Sequence, residues 1–335
     1  YLEFVFLTGV TKFAQVSVFS DLNHLTDLSL DPRYSDLCGI TQEELKQDFA
    51  PEIDGIIQNG TRDRERYLAE LKRFYNGYRF STKPLTVYNP FGLLNHFDKG
   101  GEFLPYWYET GTPAFLIKLI EKQNIDIVNL GKLTVRYDDF RKYDAETMEA
   151  VPVLYQSGYL TIAGYNEERN IFSLDYPNEE VRGSFAESLI EKYLRVPGQN
   201  LHAFIVRFSD AIYDGDIDGV LNNLIPFFAS IPYDIIGDDE KYYQTVVHLI
   251  FTMMGLQCRS EVRISAGRID TLVETNTLVY CFEFKLNGTA KEALEQIDTK
   301  EYLLPWQGSG KKLFKAGVEF DKNKRNIGNW KSAVL

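Results

Sequence analysis

Through the C-terminal part of the chain, the spacing of apolar positions switches from the period of a helix to that of strands and back. Asp238-Asp239-Glu240 opens a stretch whose apolar residues Tyr243, Val246, Val247, Ile250 and Met254 recur at 3.6, and Gly255 stops it, which predicts a helix. Glu240 falls on that stripe and should face the sheet. Gln257–Ile264, containing Glu261, reads as a strand. Gly267-Arg268-Ile269-Asp270 then opens a β-type run that turns at Thr275-Asn276 and returns as Leu278–Lys285. Thr289 and Glu292 form a capping box before a helix carrying Ala293, Leu294, Gln296, Ile297 and Leu304, ended by Pro305. Residues 312–320 close the unit as a strand, so the predicted order is helix, three strands, helix, strand.

The hairpin carries the candidate chemistry. With Thr275 and Asn276 as a two-residue loop, Asp270 lies opposite Cys281 and Glu283 is its diagonal neighbour on the same face. Lys285 shares that face, while Leu278, Tyr280, Phe282, Phe284 and Leu286 point the other way. Diagonal neighbours sit roughly 7 Å apart, so two such carboxylates can grip one divalent ion. An ion there polarises a phosphate and acidifies water, and the Lys285 ammonium orients that water or steadies developing negative charge. The competing reading is the charged, solvated face of an ordinary hairpin. For Glu240 it is a first-turn acid on the helix dipole.

These elements and residues resemble the PD-(D/E)XK nuclease superfamily. More narrowly, Ser260-Glu261, Gly267-Arg268-Ile269-Asp270, Glu283-Phe284-Lys285 and the 293–297 segment with Tyr302 resemble the C-terminal domain of bacterial AAA-ATPase-like proteins that end in such a nuclease domain. The resemblance implies a restriction-endonuclease-like αβββαβ core with Asp270 and Glu283 as ligands of Mg2+ (or Mn2+). It also implies Lys285 as the catalytic lysine, Glu240 as an assisting first-helix acid and Gln296 as the glutamine of the following helix. Ile269 stands where the family name has Pro. Tyr302 lies further from Gln296 than in several nuclease families, which assigns it to packing.

The N-terminal residues read as the end of another domain. The chain starts without a Met in the apolar run Phe4-Val5-Phe6-Leu7, a buried strand of an α/β sheet, ending at Thr8-Gly9. The segments 6–13, 19–23, 40–44, 75–80, 87–90 and 107–113 resemble the later part of the same family's ATPase-like domain. No Gly-rich phosphate loop ending in Lys-Ser/Thr occurs, so ATP is expected only in an intact longer protein, and Thr8 and Lys12 read as strand capping and surface charge ahead of flanking a nucleotide there. Further helices are predicted over 41–49, over 61–75, and from Thr112-Pro113 with Phe115, Leu116, Leu119 and Ile120 on one face. Residues 137–193 have a winged-helix pattern: two short helices ending at Ser157-Gly158, then a hairpin turning between Asn166 and Asn170. Residues 146–156 hold no Lys or Arg, so this module reads as a spacer and not a DNA reader. The Tyr and Trp clusters from Tyr75 to Tyr108 read as core, because aromatic residues make up 14% of the whole chain and do not single out this stretch.

Composition narrows the classes. With 335 residues, 44% hydrophobic and 25% charged, the chain can bury two or three cores. Its longest apolar runs fall far short of the ~20 residues needed to span a bilayer, so no membrane partner is expected. Three scattered cysteines at 38, 258 and 281 make neither a disulfide framework nor a zinc pattern, which points to a reducing cytoplasm. The net charge of -12 argues against a nucleic-acid coat, but it is uneven. Residues 237–335 hold 14 Lys and Arg against 13 Asp and Glu, with Lys311, Lys312, Lys315, Lys322, Lys324, Arg325 and Lys331 gathered late, a candidate basic rim for a phosphate backbone.

The expected architecture is therefore α/β and α+β multidomain. It comprises an AAA-like remnant with helical lid (1–130), a helical and winged-helix-like middle (131–236) and a nuclease-like domain (237–335). The expected function is metal-dependent hydrolysis of phosphodiester bonds, with DNA as substrate, coupled to an upstream ATPase-like module. The alternative is a catalytically silent regulatory or nucleic-acid/protein-interaction protein that keeps the nuclease fold.

Overall fold

The computed structural model describes residues 26–335 apart from 61–62, 111–113, 141–148, 197, 233–236, 238 and 266. The expected strand at Phe4 to Leu7, with Thr8 and Lys12, lies outside these residues, as does Asp238. The chain divides into two compact units, Tyr1–Ser184 and Phe185–Leu335.

In the first unit, Thr41 accepts from the Glu44 N–H while the Glu44 carboxylate accepts from the Thr41 N–H, and this reciprocal cap starts α1 (Gln42–Asp48). Then come α2 (Ala50–Asn59), α3 (Arg64–Tyr75, capped by Asp63), α4 (Pro90–Asp98, capped by Asn89) and α5 (Ala114–Lys122). Leu45, Ile53, Tyr67, Leu71, Tyr75, Tyr88 and Leu93 form one core, so these aromatic residues are packing groups. Phe115 does not share the buried stripe its spacing predicts: it is 56% exposed, and Ile117 joins Leu116, Leu119 and Ile120 inside. Thr134–Arg136 (β1), Thr161–Asn166 (β2) and Ile171–Asp175 (β3) make a three-stranded sheet in the order β1-β3-β2. Before its hairpin runs α6 (Ala150–Gln156), which buries Ala150, Pro152, Val153 and Leu154.

The unit boundary falls within α7 (Glu179–Tyr193). The second unit continues with α8 (Gly198–Asp214), α9 (Ile217–Ser230) and α10 (Glu240–Met253). Its sheet runs β4 (Gln257–Ile264), β5 (Gly267–Glu274), β6 (Leu278–Lys285), β7 (Lys312–Asp321) and β8 (Asn326–Val334), in that spatial order. Helix α11 (Ala290–Thr299) makes the crossover that lets β6 and β7 pair in parallel, while the other pairs are antiparallel. Strand β8 is an addition to the predicted order. Its Gly328, Asn329, Lys331 and Ser332 give no apolar alternation to read.

The two sheet faces differ in chemistry. Tyr280, Phe282 and Phe284 point to one side, where Phe251 lies 5.6 Å from Phe282 and Tyr243 stacks 4.2 Å from Phe320. Residues 198–230, grouped with the middle region by sequence, pack on this side: Phe208 meets Phe251, Phe228 meets Phe320, and the Tyr280 hydroxyl donates to the Ile212 carbonyl at 2.5 Å. On the other side Leu272, Val279, Cys281 and Leu313 pack with Ile297, Tyr302 and Leu303.

The hairpin register differs from expectation. Thr271 pairs with Phe282 and Leu272 with Cys281, and the Thr275 N–H donates to the Leu278 carbonyl, so Asn276-Thr277 is the loop. The shift is two residues in pairing, so the faces survive. Asp270 is brought level with Glu283 instead of Cys281.

Gly317 sets how closely α11 lies on the sheet. A Cβ at this position would sit 2.3 Å from the Ala290 carbonyl oxygen and 2.4 Å from the Leu294 nitrogen, both backbone atoms that cannot swing away. Gly317 pairs with Glu283, so the helix is closest beside the candidate site. We predict that Gly317→Ala destabilises the second unit by about 1–3 kcal/mol, the usual cost of overpacking, measured by urea denaturation. An unchanged midpoint would contradict the close approach.

Candidate metal centre

Asp270 and Glu283 meet at the end of the hairpin, 7% and 1% exposed. The backbone ladder stops before Asp270, and its carboxylate accepts the Phe284 N–H at 2.9 Å, a donor that would otherwise enter the ladder. One oxygen of Glu283, Oε1, accepts from the Lys285 ammonium at 3.2 Å and from the Gln296 amide. The other, Oε2, is buried without a hydrogen-bond partner.

Helix α10 contributes Glu240, which accepts the Leu286 N–H at 3.1 Å and fixes the chain where β6 ends. Glu319, level with Lys285 on β7, accepts the Ala290 N–H at 3.3 Å and fixes the start of α11. The structure thus brings Asp270, Glu283, Lys285 and Gln296 together and sets Glu240 beside the end of their strand. The side chain of Glu261 lies outside the described residues.

Sequence spacing assigned Tyr302 to packing alone. It is 2% exposed in the core, and its hydroxyl also accepts from the Gln296 amide at 3.2 Å, joining the chain of contacts that ends on Glu283. The signal missed is three-dimensional: Tyr302 N–H bonds back to the Ile297 carbonyl, returning the tyrosine to the last turn of α11.

The expected basic rim is divided. Lys312 pairs with Leu278 at one end of the β6–β7 ladder, while Lys285 and Glu319 stand seven residues on, roughly 23 Å away. Lys311 is held by Glu274 and the Thr275 carbonyl, Lys315 by Asp298, and Lys324 by Asp321. Lys311 and Lys315 thus hold the fold's own carboxylates, and Lys311 and Lys312 lie at the end of the ladder away from Lys285.

Burial pushes the Asp270 carboxyl up to about 6, opposed by the Phe284 N–H and reinforced by the charge of Glu240. Burial first, and then the charge of Asp270, pushes Glu283 up to about 7, against the pull of Lys285. A divalent cation would suit this arrangement, because it adds positive charge beyond the single Lys285 ammonium and a partner for the buried Oε2. Among the described residues no third His, Cys, Asp or Glu joins the pair. Two hard oxygen donors completed by water suit Mg2+ or Mn2+ better than zinc.

Residues 238–330 match the model of the PD-(D/E)XK nuclease superfamily. The C-terminal unit carries a domain of that superfamily. The chain is also 36% identical over 340 aligned positions to a protein of Azotobacter chroococcum mcd 1 described as "Uncharacterized protein in vnfD 5'region". The alignment covers 98% of this chain and 62% of that relative, so the chain spans less than two thirds of the relative's length. No solved structure matches the chain at a significant level. No helix among the described residues is long and apolar enough to cross a membrane.

The raised carboxyls make a signed prediction for the metal-free protein. From reference values of 3.8 and 4.5, folded values of about 6 and about 7 favour the protonated groups, so the stability they add is complete below pH 4 and is lost as pH rises through 7. Glu180 of the first unit, also pushed up to about 7 by burial, acts in the same direction. In EDTA the urea midpoint should fall from pH 4 to pH 8. Glu283→Gln should flatten the second unit's transition and leave the share of Glu180. A midpoint independent of pH would contradict the buried pair.

Proposed function

We propose that the chain is a metal-dependent phosphodiesterase acting on nucleic acid, with DNA as substrate and Mg2+ or Mn2+ as cofactor. The observation that carries the reading is the convergence of Asp270, Glu283 and Lys285 at one sheet end, with a buried Glu283 oxygen still unpartnered. PD-(D/E)XK nucleases generally use divalent metal ions such as Mg2+, and the donor set here suits one. When bound, the ion supplies Lewis-acid polarisation of a phosphoryl oxygen and acidifies water.

The chain's own groups have separable tasks. Asp270 and Glu283 are the metal ligands. Gln296, braced by Tyr302, holds Glu283 in its rotamer by donating to Oε1. Glu240 keeps the Lys285–Leu286 segment in place through the Leu286 N–H. Lys285 then presents its ammonium at the mouth, where it orients the attacking water or offsets charge developing on the phosphate. In this reading the site lies downstream of an ATPase-like module in a longer protein, on the resemblance of the 6–13 and 75–80 segments, and no step of the cleavage uses ATP.

A second reading keeps the fold without turnover, as a regulatory or interaction protein. The net charge of -12 favours it. The test is incubation of the purified chain with linear and supercoiled DNA, with Mg2+, with Mn2+ and with EDTA. Cleavage is expected only with metal, and Asp270→Ala or Lys285→Ala should lower the rate by about 10²–10⁴-fold. Cleavage that both substitutions leave unchanged would sink the assigned site. No cleavage in any metal would favour the silent reading.

A further inference from the structure

The first unit holds a cavity of about 320 Å3 between the segment that follows α3 and the end of the small sheet where Thr161 of β2 pairs with Asp175 of β3. Its walls are set by close backbone constraints. Gly77, at φ +117°, lies so near Pro177 that a Cβ would sit 1.8 Å from the Pro177 carbonyl oxygen, which leaves room for glycine alone. The Arg79 N–H donates to Thr161 Oγ1 at 2.8 Å and ties the segment to β2. Strand β2 carries a bulge between Ile162 and Gly164, and the displaced residue, Ala163, is an exposed part of the lining.

Arg79 is the lining residue whose chemistry the fold does not complete. It is 8% exposed, its Nε donates to the Ser81 carbonyl at 3.0 Å and its Nη2 to the Thr82 carbonyl, and among the described residues no carboxylate pairs with it. A guanidinium has five N–H donors and stays protonated in proteins, so two carbonyls leave three donors and the charge itself unanswered. Stapling the turn at Ser81 and Thr82 needs only two donors, and a neutral amide would supply them without the cost of a buried charge. Asp175 shares the cavity but does not neutralise Arg79. Its Oδ1 accepts the Tyr176 N–H at 2.7 Å and lies 3.6 Å from Arg182.

One cation and one acid in the same cavity select a ligand with a single anionic group and hydrogen-bond donors elsewhere. A phosphate suits the guanidinium, which can meet two of its oxygens at once, and the hydroxyls of Thr86 and Thr161 belong to the same lining. The second oxygen of Asp175 accepts from a hydroxyl and repels a second phosphate, which disfavours polyphosphates and nucleic-acid strands. The volume is at the small end of the range for small-molecule sites.

We propose that this cavity binds a small phosphate monoester carrying hydroxyl groups, with the phosphate on Arg79 and a hydroxyl on Asp175. The site is separate from the metal centre, since every residue of its lining belongs to the first unit. It therefore stands or falls independently of the phosphodiesterase reading.

The test is isothermal titration of ribose 5-phosphate into the full chain in EDTA and 0.15 M salt, with inorganic phosphate and ribose as separate titrants. One saturable site per chain is expected for the ester, weaker binding for inorganic phosphate and none for ribose. Arg79→Met should weaken the ester by about 10–100-fold, the usual loss for a hydrogen bond to a charged group, and Arg79→Lys should recover part of it. Ala163→Trp fills the cavity from an exposed position and keeps Arg79, so it should abolish binding with the urea midpoint unchanged, and it carries the test if Arg79→Met fails to fold. Absence of saturable binding by the wild type, equal affinity in Arg79→Met and Ala163→Trp, or ribose or inorganic phosphate binding as tightly as the ester would overturn the proposal.

Discussion

The backbone N–H of Phe284 is satisfied by the Asp270 carboxylate, and the candidate site depends on that substitution. A buried peptide donor has to be paired, and between two antiparallel strands the ordinary partner is the neighbouring backbone carbonyl. Here the ladder ends at Thr271 with Phe282, and the next donor is taken by a side chain. Asp270 is thereby fixed in position level with Glu283, where the ladder ends.

Holding two carboxylates this way is costly without compensation. Both are desolvated, the charge of Asp270 raises the proton affinity of Glu283 while that of Glu240 raises that of Asp270, and one oxygen of Glu283 has no donor. The surrounding contacts keep the pair from rearranging. Gln296 and Lys285 occupy Oε1, Tyr302 braces Gln296, Glu240 and Glu319 tie down the chain ends on either side, and Gly317 lets α11 come close enough for Gln296 to reach. In the proposed reading such an acidic pocket holds protons or a divalent ion in competition, at the expense of stability.

Much of this was legible in the sequence because it is local. The capping box at Thr289 needs only four consecutive residues, and the structure contains it. The two faces of the hairpin follow from strict alternation, which is why they survived an error of two in the register. That error arose because Thr275 closes the turn with its own N–H and so belongs to the strand. What was not legible depends on contacts distant in sequence. Glu240 reaches Leu286 across 46 positions, Gly317 is critical only because α11 crosses it, and Tyr302 returns to Gln296 through a reversal after the helix. Phe115 has the spacing of a core residue yet is exposed, since periodicity gives a stripe but not its centre.

The claim on which the account turns is that Asp270 and Glu283 hold one divalent ion. Isothermal titration of Mn2+ into the intact chain, repeated in buffers of different ionisation enthalpy at pH 6.5, tests it most directly. The account predicts one saturable site per chain, with protons released on binding because the carboxyls are partly protonated beforehand, and loss of the site in Asp270→Asn and Glu283→Gln. Absence of saturable binding, or binding of equal affinity in both variants, would contradict it.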